Sequence, residues 1–429
     1  MQMTPRKKSV GSLRFAVVGL GGYAQAHLQA VDWLAQQGLA RLAAVIARPQ
    51  DRQAHPDQLQ QVQQKRARLF ASLEEFWQDA GDVADVICLP IGIHEHADVS
   101  IRAMEAGLHV YCEKPAAATV QDVDRMIAAR DRHRRKLTIG FQYLLGPAIA
   151  RVKERIVAGE LGQPLKAALV CTWPRSREYY QRNAWAGRLQ VGGRWVLDSP
   201  ANGAMAHQIM NVLYLASPLA GQAAGPQWVR AELYRTYDIE SADTVQLMFA
   251  TDTGVQAHVI LSHATREAIG PVMNLRFERG QVRFEGHDGR STIRYADGRT
   301  ETFENAPETW RFELFRDLVL AIHEDRPVAC PPELARPHTL LVNGMHESGA
   351  PIVTIPQQSI YEERGPRIWP PGSTGRFRRV RGLESLIQQA RQRECFFSEL
   401  EVRWAQPRQQ FSLSSYHQFP AQRLTSSRE

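Results

Sequence analysis

The sequence predicts an α/β domain built on a parallel sheet, followed by an α+β domain with a largely antiparallel open sheet. Three observations carry this expectation. From residue 12 to about residue 145, short apolar runs alternate with helical stretches, the texture of a parallel sheet covered by helices on both faces. After Pro147 the runs lengthen and alternate apolar with polar residues between turn signals, which reads as antiparallel strands. A length of 429 residues with 44% apolar and 23% charged composition supports two cores rather than one.

In chain order, Arg14–Val18 reads as a buried strand, Ala24–Gln37 as an amphipathic helix and Arg41–Ala47 as a second strand. Asp85–Leu89, His109–Cys112 and Lys136–Gly140 supply further strands, with helices at Ala97–Ala106 and Val120–Arg132. In the second domain, residues 146–355, a helix over Ala148–Ala158 precedes strands at Gln246–Ala250, Val255–Leu261, Asn274–Glu278 and Gln281–Glu285. Turns at Asp252-Thr-Gly254 and Arg279-Gly280 make these four an antiparallel meander, with one face free for a ligand or for a partner subunit in a homo-oligomer. Trp310–His323 and His338–Glu347 read as helices. Residues 356–429 are rich in Arg, Gln, Pro and Ser and read as an appended, partly ordered basic extension with one helix at Leu383–Arg393.

Net charge is +7, but it is not spread evenly. Residues 1–12 carry three basic and no acidic residues, and residues 356–429 carry twelve Arg against seven Glu, which leaves the two-domain body at −1. The body therefore has no electrostatic case for nucleic acid. Five scattered cysteines without a C-x-x-C pair read as reduced thiols. With neither a secretory apolar stretch nor a membrane-length run, the expectation is a soluble cytoplasmic protein.

Gly19-Leu-Gly21-Gly22-Tyr23-Ala24 follows the first strand and opens the first helix, the context that a G-x-G-x-x-A match requires. Gly19 permits the tight turn, Gly21 lets the backbone approach a pyrophosphate, and Ala24 lets helix and strand pack closely, so this is a Rossmann dinucleotide-binding fingerprint. At the end of the second strand, where a carboxylate usually binds the ribose diol, stands Ala47-Arg48. A guanidinium there favours NADP over NAD through a 2′-phosphate.

Cys112-Glu113-Lys114-Pro115, preceded by His96–Gly107 and Leu108-His-Val-Tyr111, resembles the Gfo/Idh/MocA oxidoreductases, and the similarity runs from about Arg14 to about Thr354. The resemblance implies NAD(P)-dependent dehydrogenation or reduction of a sugar, inositol or sugar acid. It places Lys114 beside nicotinamide and substrate, and Pro90, His96 and Glu113 among the cofactor-binding residues. It also admits an NAD-dependent glycosidase or a non-catalytic dinucleotide sensor. Lys114 lies just past the carboxyl end of a parallel strand, where open α/β sheets bind ligands, and its ammonium could polarise a substrate oxygen.

Family members commonly carry a His or Tyr four residues after an Asp; here that position after Asp198 is Asn202, which cannot be a general acid or base. Asp198 or Ser199 can cap a helix with Pro200 in its first turn, so Ala201–Leu215 is expected to be helical, with Gly203, His207 and Asn211 on one face. His207 is then the best base for a hydroxyl proton. No cluster with ligand spacing suggests a metal. Interleaved aromatics and donors between Trp173 and Arg188 suit a polyol, with Arg175, Tyr180, Arg182 and Asn183 chosen to bind hydroxyls or a carboxylate, alongside Asp198 and Asn202. Gln142 is a further ligand contact, whereas Leu144-Leu145 replaces an Arg-aromatic pair of many relatives.

Overall fold

The computed structural model describes residues 11–286, 289–367 and 372–421. The first sheet is built from β1 (Leu13–Val18), β2 (Ala40–Ile46), β3 (Arg68–Phe70), β4 (Val86–Leu89), β5 (His109–Cys112) and β6 (Leu137–Ile139). All pair in parallel in the order β3-β2-β1-β4-β5-β6. Helices α1 (Ala24–Gln36), α2 (Pro49–Ala54), α3 (Pro56–Gln64), α4 (Leu73–Val83), α5 (His96–Glu105) and α6 (Val120–His133) connect them. Central strands covered on both faces must be apolar throughout, and Phe15, Ala16, Val17, Val86, Ile87, Cys88 and Leu89 are all fully buried. The strand order reverses between β1 and β4, which puts the ligand crevice at their carboxyl ends.

The second domain begins with α7 (Pro147–Val157), β7 (Pro164–Thr172), α8 (Arg177–Tyr180), β8 (Gln190–Val191), β9 (Arg194–Trp195) and α9 (Ala206–Leu215). Its sheet continues with β10 (Pro226–Arg235), β11 (Thr244–Thr251), β12 (Gln256–Ser262), β13 (Ile269–Phe277), β14 (Gly280–Glu285), β15 (Arg290–Tyr295) and β16 (Thr300–Glu304). Two helices, α10 (Glu313–His323) and α11 (Pro332–Gly349), and the short β17 (Val353–Thr354) follow. The expected meander is interrupted: β7 inserts between β12 and β13, parallel to the first and antiparallel to the second. A strand from before α9 thus holds the centre of the sheet, a long-range pairing that turn signals cannot reveal.

A second departure concerns α9, which begins at Ala206 rather than Ala201. Asn202 and Gly203 instead form a turn, their N–H groups bonding to Ser199 Oγ (3.3 Å) and Ser199 O (2.8 Å). Gly203 is therefore not on the helix face with His207 and Asn211.

The third departure is the segment after Pro356. It forms a hairpin of β18 (Ile360–Arg367) and β19 (Gly372–Val380), helix α12 (Leu383–Arg393) and β20 (Phe411–Ser412), which pairs with β10. Ile360, Val380, Leu383, Ile387, Ala390 and Phe397 bury themselves against Val170, Tyr234 and Ile260 of the sheet. This part of the face, expected to be free for a partner subunit, is covered by the chain itself. The tail then reaches back: Gln121 of α6 exchanges hydrogen bonds with the backbone of Phe419 (2.7 and 3.0 Å), and the Phe419 ring stands edge-on to Trp195 (4.9 Å) and His346 (6.3 Å). Among the described residues no helix is long and apolar enough to cross a membrane.

Candidate active site

The glycine loop joins β1 to α1. Gly19 adopts φ +95°, and a Cβ there would lie 3.3 Å from that of Ala24, so both positions need small residues. A Cβ on Gly21 would run into the His55 imidazole, so the bare backbone of this turn lies in close contact with the start of α3. A tight turn feeding a helix N-terminus, with its first N–H groups unclaimed by the helix, fits a dinucleotide pyrophosphate. Tyr23, 41% exposed, accepts a hydrogen bond from Gln142 Nε2 (3.0 Å), while Gln142 Oε1 is buried without a partner. Pro90 follows directly on β4, half-buried at the carboxyl edge of the sheet.

Arg48 is the N-cap residue of α2, and its side chain is 66% exposed. Its Nε and Nη2 both donate to Asp51, at 2.8 and 3.1 Å. This hydrogen bonding to Arg48 holds the Asp51 carboxyl below its usual range. A carboxylate is thus present beside the position where the sequence showed only Ala47-Arg48.

Two residues expected to bind cofactor are engaged with the protein. His96 is buried, with Nδ1 2.8 Å from Pro115 O and Nε2 3.2 Å from Ile91 O, and burial lowers its pKa. A ring held between two carbonyls positions the loop that carries Lys114. Glu113 is buried as well: Oε1 lies 3.0 Å from His27 Nε2, and Oε2 accepts the Lys114 N–H (3.2 Å). A cavity of about 510 Å³ opens on the α1 side of this pair, lined among others by Tyr23, His27, Glu113, Gln142 and Phe312.

Lys114 Nζ crosses to the second domain and donates to Gly203 O (2.8 Å). Burial pulls its pKa below the ordinary lysine range, against the opposing pull of Glu113 and Asp198. From there a continuous wall can be followed residue by residue. A Cβ on Gly203 would lie 2.6 Å from Asp198 Oδ1, and Asp198 Oδ2 accepts the Gly187 N–H (2.7 Å). A Cβ on Gly187 would lie 3.0 Å from Tyr180 Cδ1, and the Tyr180 hydroxyl lies 3.0 Å from His263 Nδ1. Burial raises the Asp198 pKa, countered by Arg182, the Gly187 N–H and Lys114. His207 packs between the rings of Phe141 (5.6 Å) and Tyr143 (4.8 Å), which follow the last strand of the first domain. The turn at Gly203 and helix α9 thus bring Lys114 and His207 to one seam.

Asn202 is fully buried and donates to Val196 O (3.0 Å), leaving Oδ1 without a partner. Arg175 lies 7% exposed over the rings of Trp173 and Tyr179. Arg182 stacks 3.7 Å from the Tyr179 centroid and donates to its carbonyl (2.7 Å). Asn183 stays outside the cluster: it is exposed, and its Oδ1 closes a turn on the N–H groups of Trp185 and Ala186 (3.1 and 2.8 Å). His263, Tyr237 and His338 contact these segments without any signal in the sequence that singles them out. Tyr237 donates to Arg175 O (2.6 Å), and His338 Nε2 lies 3.1 Å from Ala201 O. His263 and Tyr237 sit at strand ends, where only the tertiary fold supplies partners.

Comparison with known proteins follows the same lines. A model of the oxidoreductase family Gfo/Idh/MocA, NAD-binding Rossmann fold, matches residues 13–141. Inositol 2-dehydrogenase of Salmonella typhimurium is 37% identical over 110 residues, 23% of this chain and 33% of that protein. Levoglucosan dehydrogenase of Pseudarthrobacter phenanthrenivorans is 33% identical over 99 residues, 22% of this chain and 25% of that protein. The chain thus spans about a third or less of the length of these curated relatives. Among solved structures, the WlbA dehydrogenase from Bordetella pertussis, in complex with NADH and UDP-GlcNAcA, has a TM-score of 0.64 at 21% identity, covering 78% of this chain and 96% of that one. Aldose-aldose oxidoreductase from Caulobacter crescentus, complexed with glycerol, gives 0.63 at 20% identity over 78% and 97%. At such identities the likeness is one of fold, and it extends over both domains. By its glycine loop, its Glu113-Lys114-Pro115 turn and the match over residues 13–141, the first domain is similar to the NAD-binding Rossmann domain of the Gfo/Idh/MocA oxidoreductase family.

Proposed function

We propose that the protein transfers hydride between a nicotinamide dinucleotide and a hydroxyl or carbonyl carbon of a sugar, inositol or sugar acid. The observation that carries this is Lys114: it stands just beyond β5, at the ligand-binding edge of the parallel sheet, with its ammonium at Gly203 of the second domain. A bound dinucleotide supplies the hydride acceptor or donor. The ammonium of Lys114 holds the substrate oxygen and stabilises the alkoxide character that develops on it. The imidazole of His207 takes the hydroxyl proton, and in the reverse direction returns it. Asp198, Tyr180 and Arg182 form the wall against which the remaining hydroxyls are oriented. The named relatives act on inositol and levoglucosan, and the solved structures hold a nucleotide sugar acid and glycerol, which supports a polyhydroxylated substrate.

For the cofactor, the Arg48–Asp51 pair favours NAD rather than the NADP expected from Arg48 alone. A 2′-phosphate must displace Asp51 from the guanidinium, whereas a ribose diol finds a carboxylate acceptor in place. The test is mass spectrometry of the purified protein for a co-purifying dinucleotide, followed by a sugar and polyol panel read by nicotinamide absorbance. A chain that neither carries nor binds NAD(H) or NADP(H) does not have this function.

A further inference from the structure

Among the described residues, buried carboxyl, lysine and arginine side chains have close compensating partners, with one exception. Glu113 has His27, and Asp243 accepts from Thr236 and Tyr237. Lys153 donates to the carbonyls of Tyr214, Ser217 and Gln222, and Arg379 has Glu363 at 3.6 Å. Arg175 is as buried as these, yet among the described residues no carboxylate pairs with it. Its Nη1 reaches only Pro174 O at 3.4 Å, and its Nε has no partner. A guanidinium cannot shed its charge to escape burial, as a lysine or histidine can. Aromatic faces at 5.8 Å (Trp173) and 5.1 Å (Tyr179) compensate it only in part.

The surroundings add positive charge rather than removing it. Arg182 lies over the same Tyr179 ring, and His263, whose backbone O accepts the Arg175 N–H (3.1 Å), leaves Nε2 buried without a partner. The nearby carboxylates are already engaged, Asp198 by the Gly187 N–H and Asp243 by Thr236 and Tyr237. Through Tyr180, Gly187, Asp198 and Gly203 this corner is continuous with Lys114.

We infer that Arg175 is the anchor for a carboxylate on the substrate, so that the physiological substrate is a sugar acid rather than a neutral sugar or inositol. A planar carboxylate matches the guanidinium fork, supplies the missing counter-charge and leaves the polyol chain directed along the wall toward Lys114. This rests on the functional reading above.

The test is calorimetry on the protein loaded with NADH, at ionic strength fixed with sodium chloride. Glucuronate, galacturonate and gluconate are compared with glucose and galactose, with glucose 6-phosphate as a second anion. At least one carboxylate should bind ten or more times tighter than its neutral parent. Arg175→Gln should remove that margin while NADH affinity stays unchanged, and Arg175→Lys should restore part of it. Equal binding of acid and neutral parent, no binding of any acid, preference for the phosphate alone, or an undiminished acid preference in Arg175→Gln would each overturn the inference. The comparison on the wild-type protein decides the matter even if the glutamine variant does not fold. Retained NADH binding in a negative result leaves the dinucleotide reading standing, whereas failure to bind NADH strikes that reading instead.

Discussion

Lys114 reaches the turn at Gly203 from the first domain, and His207, on the helix that follows that turn, packs on the first domain's Phe141 and Tyr143, so under the proposed function each should matter to turnover more than to cofactor binding. Alanine at either position should lower kcat by about two to four orders of magnitude with dinucleotide Kd nearly unchanged, and the double variant should be little worse than the worse single one. Near-normal turnover in His207→Ala would return the base role to another group on the wall. Because burial favours the neutral amine of Lys114, activity that needs its ammonium should be lost on the alkaline side at a pH below about 10.4, where an ordinary lysine titrates. Asp51→Ala should free Arg48 and shift the ratio of NADPH to NADH affinity toward NADPH; fluorescence titration that finds the ratio unmoved removes the pair from cofactor selection. Lys114 and the glycine loop stand out as candidates in the sequence because each belongs to a short contiguous motif. Asp51 is not legible from the last residues of the second strand, because it stands three residues after Arg48 on the next helix and reaches the guanidinium only once that helix has formed. The protein partners of His96 and Glu113, the carbonyls of Pro115 and Ile91 and the His27 ring, are not legible in the sequence, because motif membership does not tell which way a ring or carboxylate turns.

At the level of elements, strands and helices with a one-sided or wholly apolar pattern could be read closely, and α12 has the bounds expected for it. The three-residue β3 is too short to show a period, and the charged hairpin β18–β19 has polar residues where a strand signal would need apolar ones. The early start expected for α9 came from reading Asp198-Ser-Pro200 as a cap; Ser199 does accept an N–H, but it closes a turn. The packing of α12 has a direct test. Ile387 is 2% exposed against the sheet, so Ile387→Asp should lower stability by about 3 kcal/mol or more, while Gln388→Asp on the exposed side should change it by less than about 0.5 kcal/mol. Thermal melts showing both substitutions to be equally mild would mean that the segment does not pack on the sheet.

For the molecule as a whole, buried imidazoles set an acid limit. Burial lowers the pKa of His258, His338 and His346 to about 4 from an ordinary value near 6.5, and burial likewise holds that of His263 well below the ordinary value. The folded state therefore binds fewer protons than the unfolded chain between these values. The stability present above about pH 6.5 should be lost progressively as pH falls toward about 4, with a falling Tm and proton uptake on unfolding. A Tm that is flat across this window would show those rings to be solvated. The clasp between Gln121 and Phe419 bears on how the molecule comes apart. It joins positions 298 residues apart in the chain, but the entropy of closing a loop grows only with the logarithm of its length, so so distant a tie is little harder to make than a nearer one. Its effect is on cooperativity: the first sheet cannot loosen α6 without also releasing the segment seated beside Trp195 and His346. Together with contacts such as Asn343 Oδ1 to the Val120 N–H, the tie should make two domains that could each melt separately share one calorimetric transition, and Gln121→Ala should broaden it.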